Sequence, residues 1–271
     1  MRGATRWFAV VGAALLFAAG PCPAQGSRQG PVRRPPGSEV KRIPMEPEVE
    51  PPPIPVEEIV KRFTEKEDEL KRIQDGYNFQ ISVRVQEFPA DGSASAETQM
   101  TSATYRKADG QRYGRVISEN LGQMRFTDLF REDLQELAAL PMFVLTTDQL
   151  PRYEITYAGR QPLDELTTYI FRVRPKRLER RERQFEGVIW VDDRDFAIVK
   201  SYGKWVAEII PEAKVMPFQM FEMYRQVVDD KYWLPAYVRS EDSVTTQAGE
   251  ARVRLTMRYT DYKAAPPPPK Q

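Results

Sequence analysis

Residues Thr168–Trp205 read TYIFRVRPKRLERRERQFEGVIWVDDRDFAIVKSYGKW. An alternating segment that ends at Pro175 comes first, followed by a strongly basic connector and two further segments joined by an aspartate-rich turn. Short alternating runs separated by turn residues at this spacing predict neighbouring strands of an antiparallel sheet. The stretch therefore indicates a fold before it indicates any chemistry.

Strand-like segments fill most of the remaining chain. In the run 79–86, apolar residues alternate with polar ones, which is typical of a strand with one buried face. Nine further strands are predicted at 99–106, 113–118, 153–157, 167–174, 185–192, 196–202, 216–227, 232–239 and 251–262.

Two amphipathic helices are predicted at 56–73 and 124–140, because apolar residues recur there at helical spacing. Asp75-Gly76 and Pro141 are expected to end them. The first helix has five charged residues that are expected to face away from its apolar side: Lys61, Glu65, Glu67, Asp68 and Lys71.

About ten single-faced strands and two helices describe an α+β fold built on an antiparallel sheet. A twisted sheet of this length tends to curl. We therefore expect a strongly curved antiparallel sheet whose concave apolar face is covered by the two amphipathic helices.

The N-terminus has the pattern of a secretory signal peptide over residues 1–24. Arg2 and Arg6 precede an apolar run, Phe8–Gly20, and the small residue Ala24 is a candidate cleavage site. The run is shorter than the roughly 20 residues that a transmembrane helix needs. We therefore expect export to the periplasm with cleavage near Ala24.

Two proline-rich segments flank the expected folded region. Residues 25–55 contain nine prolines and few large apolar groups, so we expect a disordered linker there. This linker is either an inert spacer or a tether or docking strip in the cell envelope. The tail 264–271, with four consecutive prolines, is expected to be disordered as well.

Composition excludes most catalytic chemistry. The chain has no histidine, so it lacks the usual general base and the commonest zinc ligand. Its only cysteine, Cys22, lies in the expected signal peptide. We therefore expect no enzyme activity, no metal and no cofactor. Removal of Arg2 and Arg6 from 40 basic and 39 acidic residues leaves a nearly neutral chain, which argues against a nucleic-acid partner.

Parts of the opening stretch resemble the periplasmic lipoprotein-carrier superfamily, which includes LolA-, LolB- and RseB-like proteins. The resemblance rests on Tyr169–Pro175, Gly187–Asp192 and Ile198–Lys200, since in that superfamily a strand ending in proline precedes a hydrophobic-Trp-Val-Asp hairpin. Tyr232–Pro235 and Tyr259–Tyr262 resemble exported relatives described as outer-membrane lipoprotein-sorting proteins. It covers about residues 56–262.

The resemblance implies an open half-barrel domain over residues 56–263, lidded by helices. It further implies a non-catalytic periplasmic or outer-membrane-associated carrier, which binds a lipid or a lipoprotein acyl chain in a concave apolar cavity. The alternative is an envelope interaction or stress-sensing module of RseB type. Expected partners are a lipid or acylated protein and other envelope proteins, with peripheral membrane contact as a further option.

Ten apolar residues at strand positions are candidates for the wall of that cavity. Side chains two positions apart in a strand share one face. They therefore either line a ligand cavity or pack as ordinary core. The candidates are Phe79, Ile81, Val83, Tyr169, Phe171, Trp190, Trp233, Leu255, Met257 and Tyr259.

Two charged segments of the opening stretch each allow two interpretations. Arg177, Arg180 and Arg181 of the basic connector either contact anionic headgroups or an acidic partner, or belong to a solvated loop of mixed charge. The aspartates of residues 192–195 have the oxygen ligands that calcium prefers. They also lie where a hairpin must turn, and aspartate favours turns. We favour the turn.

Overall fold

The structure is a computed structural model that describes residues 50–74, 76–106, 112–139, 142–180, 182–208 and 218–265. The expected signal peptide and most of the linker lie outside the described residues, as do Arg181, Pro141 and the proline run of the tail. No helix within the described ranges combines the length and apolar character that a membrane span requires.

Two α-helices and ten strands account for most of the described chain. The helices are α1 (Val56–Gln74) and α2 (Arg131–Ala138). The strands are β1 (Tyr77–Pro89), β2 (Ala96–Arg106), β3 (Arg112–Leu121), β4 (Tyr153–Leu163), β5 (Leu166–Pro175), β6 (Gln184–Asp192), β7 (Ile198–Val206), β8 (Phe221–Val228), β9 (Tyr232–Thr246) and β10 (Gly249–Ala264). Each predicted strand has a counterpart among them.

All ten strands form one antiparallel sheet in the order β3-β2-β1-β10-β9-β8-β7-β6-β5-β4. Every neighbouring pair is consecutive in the chain except β1 and β10, which join the two ends of the domain in the interior of the sheet. The edge strands β3 and β4 do not pair with each other, so the sheet is not closed into a barrel. The predicted antiparallel α+β fold is confirmed.

One row of paired residues shows which face of the sheet is buried. The row runs from β5 to β2 through Phe171, Ile189, Ser201, Met223, Val238, Met257, Val83 and Met100. Phe171 packs against Phe63 of α1, with 5.6 Å between ring centroids. At the other end, Met257 shares a buried cluster with Leu134 and Leu137 of α2. Because directly paired residues lie on the same face, both helices cover the same face of the sheet.

The core beneath α1 is closely filled by aromatic rings. Phe185 stacks on Phe143 with 4.1 Å between centroids. It lies over two paired glycines, Gly187 and Gly203, where a Cβ on Gly203 would come within 2.6 Å of the Phe185 ring. The glycines therefore make room for the ring. Fully burying such a large side chain contributes roughly 1.5–3 kcal/mol.

The prediction that Glu67 faces solvent is wrong. Glu67 is 1% exposed and lies four residues after Phe63 and three before Leu70, which places it on the buried stripe of α1. Its two carboxylate oxygens accept hydrogen bonds from Arg225 of β8 at 2.6 and 2.9 Å. Arg225 also donates to the carbonyl of Phe143 at 2.9 Å. This buried ion pair ties α1 to the sheet.

The second helix is shorter than predicted, since it begins at Arg131 rather than at residue 124. The cause is Glu87 of β1, a fully buried carboxylate. It accepts the backbone N–H groups of Arg125, Phe126 and Thr127 at 2.8, 3.0 and 2.7 Å. These amides have hydrogen-bond acceptors without forming a helix. The apolar residues of the segment are therefore buried in a non-helical conformation.

Candidate ligand cavity

A cavity of about 510 Å³ lies between α2 and the part of the sheet formed by β1, β2, β3, β9 and β10. Its volume falls within the range of roughly 300–1,000 Å³ that is typical of small-molecule sites. The apolar and aromatic lining residues are Phe79, Ile81, Tyr113, Val116, Ala138, Ala139, Met142, Leu234, Pro235, Tyr259 and Tyr262. The other lining residues are Gln74, Ser102, Thr104, Gly114 and Gln135.

Aromatic side chains of β1 and β10 form one wall of the cavity. The ring of Phe79 lies 5.7 Å from that of Tyr259 and 5.4 Å from that of Tyr262, centroid to centroid. The hydroxyl of Tyr262 donates to the carbonyl of Pro235 at 2.7 Å, which fixes the ring from the β9 side. This wall is therefore held by packing and by a hydrogen bond at its polar tip.

Small residues on α2 leave the volume open. Leu134 and Leu137 are buried and anchor the helix to the sheet. Ala138 and Ala139 follow at the end of the helix and border the cavity. Opposite them, Ser102 of β2 pairs with Ile81 and so faces the same side of the sheet. Short side chains on both walls prevent the closure that occurs beneath α1.

The lining of the cavity is uncharged, since it includes no acidic or basic side chain among the described residues. Burial raises the pKa of the Tyr259 phenol. Behind the wall, burial and a 2.5 Å hydrogen bond to Asp229 raise the pKa of Tyr77 to about 12. Both phenols therefore stay neutral near pH 7. The arrangement suits an uncharged apolar group and provides no pair of groups for acid–base catalysis.

Six of the ten residues predicted from the sequence lie in this region. Phe79, Ile81 and Tyr259 border the cavity itself. The other three are buried in the cluster between the sheet and α2 without bordering it: Val83, Leu255 and Met257. The structure thus brings the residues of β1 and β10 together.

The remaining four predicted residues lie elsewhere. Tyr169 and Phe171 pack in the core beneath α1. Trp190 is next to Ile189, which faces α1, and so lies on the opposite face of the sheet. Trp233 borders a smaller and more polar cavity of about 200 Å³ at the C-terminal half of α1. Which of these positions contact a ligand remains a prediction.

The two charged segments have simple local structures. Asp192 accepts the N–H groups of Arg194 and Asp195 at 3.1 and 2.8 Å, so the aspartates form the turn between β6 and β7. In the basic connector, Arg177 and Arg180 are exposed, while Arg181 lies outside the described residues. A contact between this connector and anionic groups remains a prediction.

The cavity residues on α2, β2 and β3 were not predicted from the sequence. Strand alternation could have placed Ser102 and Thr104 on the inner face, because they pair with Ile81 and Phe79. The alanines of α2 gave no such signal. Their position depends on where the helix ends, and the predicted helix was too long.

No protein-family profile and no curated relative matches the chain. Solved structures do match. An outer membrane lipoprotein-sorting protein domain from Vibrio parahaemolyticus is 11% identical, with a TM-score of 0.36, and the match covers 75% of this chain and 92% of that one. A DUF1329 family protein from Desulfovibrio piger is 14% identical, with a TM-score of 0.34 and coverages of 76% and 92%.

A LolA superfamily protein from Nitrosomonas europaea is also similar, with 14% identity, a TM-score of 0.33 and coverages of 79% and 96%. The matched proteins therefore include a LolA superfamily protein and a lipoprotein-sorting domain, and the resemblance predicted from the opening stretch is confirmed. At these identities and TM-scores, the matches carry no conclusion about what this chain binds.

Proposed function

We propose that the chain is a non-catalytic binder that holds the acyl chain of a lipid or an acylated protein in the cavity beneath α2. The observation that carries the proposal is an uncharged, largely apolar cavity of about 510 Å³ beside the buried cluster that packs against α2. Protein interiors normally close to crystal-like density. An acyl chain that enters gains roughly 0.8 kcal/mol for each buried methylene.

The proposal includes the open half-barrel over residues 56–263. In it, the face that bears both helices is concave, and α1 and α2 form the cover of a ligand chamber. The unpaired edges β3 and β4 and the placement of both helices on one face support this arrangement. The filled core beneath α1 would hold the domain together, and the region beneath α2 would receive the ligand.

We place the domain in the periplasm of a bacterium with an outer membrane. The support is the N-terminal pattern of Arg2, the apolar run Phe8–Gly20 and the small residue Ala24. The proline-rich segment 25–55 would then separate the binding domain from the export signal. Contact with a membrane surface through Arg177 and Arg180 would be peripheral.

A titration with pyrene-labelled palmitate tests the proposal. Ala138→Trp places a large ring at the cavity wall. The ring should occupy the volume of at least two methylenes of the ligand, and the loss of their burial should weaken binding about tenfold. Glu136→Trp is the matched control, because Glu136 is exposed on the same helix and does not border the cavity. It should bind like the parent protein.

Val116→Trp gives a second test from the opposite wall. Val116 lies on the edge strand β3 and borders the cavity, so this change does not disturb α2 directly. Circular dichroism would show that each variant is folded. Equal binding by the parent and both cavity variants would contradict the proposal. No binding by the folded parent would also contradict it, and would favour the interaction-module alternative.

A further inference from the structure

The face of the sheet opposite the helices carries a concentration of arginines around one short side chain. Thr256 of β10 pairs with Arg84 of β1 on one side and with Arg239 of β9 on the other. On β10 itself, Arg254 and Arg258 stand two residues before and after Thr256, so they point to the same face. Thr256 is thus surrounded by four arginines.

These residues enclose a basin of about 420 Å³ that we call the outer arginine basin. Thr256 is its floor, because the long arginine side chains rise around a much shorter one. The rest of its lining is uncharged and hydrogen-bonding: Ser82, Gln86, Gln99 and Tyr237. The guanidinium groups remain accessible, since the side chains of Arg84 and Arg239 are 43% and 42% exposed.

Positive charge in the basin is only partly balanced. Glu97 accepts a hydrogen bond from Nε of Arg84 at 3.1 Å, and Glu241 contacts both Arg239 and Arg254. Two carboxylates therefore face four guanidinium groups.

Arg258 is the fourth arginine of the basin. It makes no ion pair with a carboxylate in the part of the chain that the structure describes, and its guanidinium lies 5.3 Å from the ring centroid of Tyr237. Glu222, which pairs with Arg239 across β8 and β9, has its carboxylate 2.6 Å from the ammonium of Lys200. Glu222 and Lys200 balance each other, and the excess positive charge in the basin remains.

We propose that the outer arginine basin binds a phosphate group. The planar guanidinium presents paired donors that match phosphate oxygens, and several such forks can engage one tetrahedral dianion from different sides. The hydroxyls and amides of the lining supply further donors. The basin lies on the opposite face from the acyl-chain cavity, so this site is independent of the proposed function. Its ligand is either free phosphate or the phosphate of a lipid headgroup.

Calorimetric titration of the full chain with inorganic phosphate at low ionic strength tests the first source. Arg258→Gln should weaken binding about tenfold, because it removes charge-assisted hydrogen bonds. Thr256→Phe should abolish binding while it keeps every charge, since the ring fills the floor of the basin. Arg172→Gln is the matched control. It removes the same charge from the same face, on β5, and should leave the affinity unchanged.

Flotation with vesicles of phosphatidylglycerol in phosphatidylcholine tests the second source with the same variants. Binding to either probe that is lost in Thr256→Phe and kept in Arg172→Gln supports the site and identifies its source. An equal loss in Arg258→Gln and Arg172→Gln would show attraction by diffuse surface charge and would overturn the proposal. Failure of the folded parent protein to bind either probe would also overturn it.

Discussion

At the scale of single residues, two carboxylates connect the helices to the sheet. Glu67 of α1 meets Arg225 of β8, and Glu87 of β1 holds the backbone of residues 125–127 in front of α2. Both carboxylates are almost completely buried. Buried charges are costly unless they are paired and hydrogen-bonded. These two side chains therefore make the position of each helix specific.

Breaking the Glu67–Arg225 pair should destabilise the domain strongly. Glu67→Leu would leave the Arg225 guanidinium buried, and the Phe143 carbonyl would be its one acceptor among the described residues. The loss should lower the free energy of unfolding by about 3–5 kcal/mol. The double variant Glu67→Leu/Arg225→Met should recover much of that loss, because an apolar pair of similar volume needs no charge compensation. Urea denaturation measures both. A loss below about 1 kcal/mol, as for an exposed pair, would contradict this account.

The Tyr77 phenol should make stability depend on pH under alkaline conditions. Burial and the bond to Asp229 raise the pKa of Tyr77 from its ordinary value of 10.0 to about 12. The folded protein therefore holds this proton more tightly than the unfolded chain. That contribution is fully present below pH 10 and is lost as the pH rises from about 10 to 12.

Tyr77→Phe tests this dependence, because it removes the titrating group and keeps the ring. The free energy of unfolding of the parent protein should fall more steeply between pH 10 and pH 12 than that of the variant. Equilibrium unfolding at a series of pH values measures the two slopes. Equal slopes would show that Tyr77 does not contribute.

At the scale of elements, α2 depends on the segment that precedes it. The helix has only eight residues, and Glu87 satisfies the amides of the chain leading into it. Glu87→Ala should release that segment, since hydrogen bonds to a charged group are worth about 1.5–3 kcal/mol each. Amide hydrogen exchange should then accelerate in residues 125–138 and remain slow in α1.

Glu97→Ala is the control for this prediction. Glu97 lies on the neighbouring strand β2 and bonds to Arg84 on the opposite face of the sheet. Its loss should leave hydrogen exchange in α2 unchanged. Acceleration in both variants would mean that α2 responds to general loosening of the sheet rather than to the Glu87 anchor.

The strands could be predicted from the sequence, and the details of the helices could not. Because apolar and polar residues alternate over residues 79–86 and 251–262, only one orientation of each strand buries its apolar face. These strands could therefore be predicted from the sequence. Residues 124–130 have helical apolar spacing, but the amides of residues 125–127 bind the carboxylate of Glu87, which is far away in the chain. Glu67 is polar by type and buried by position. The error in α2 came from a long-range partner that local spacing does not contain. The spacing of Glu67 from Phe63 and Leu70 does indicate the buried side of α1, and only its charge favoured solvent.

At the scale of the whole molecule, one sheet has two differently filled halves. Beneath the N-terminal half of α1, the rings of Phe143, Phe185 and Phe171 fill the space between helix and sheet. Beneath α2, small residues such as Ala138 and Ser102 leave a cavity. The sequence indicated most residues of the inner face through alternation, while Trp190 lies on the opposite face. It could not separate packed core from cavity wall, since that depends on which residue of a helix stands opposite.

An acyl chain held in the cavity beneath α2, as we propose, should stay bound while the protein is purified. Native mass spectrometry of the protein purified from the periplasm of a bacterial host would detect that ligand. We expect a non-covalent adduct of lipid mass on the parent protein and on Glu136→Trp, released by collisional activation and clearly less abundant on Ala138→Trp. A bare protein mass for the folded parent, or an adduct as abundant on Ala138→Trp as on the parent, would contradict the proposal.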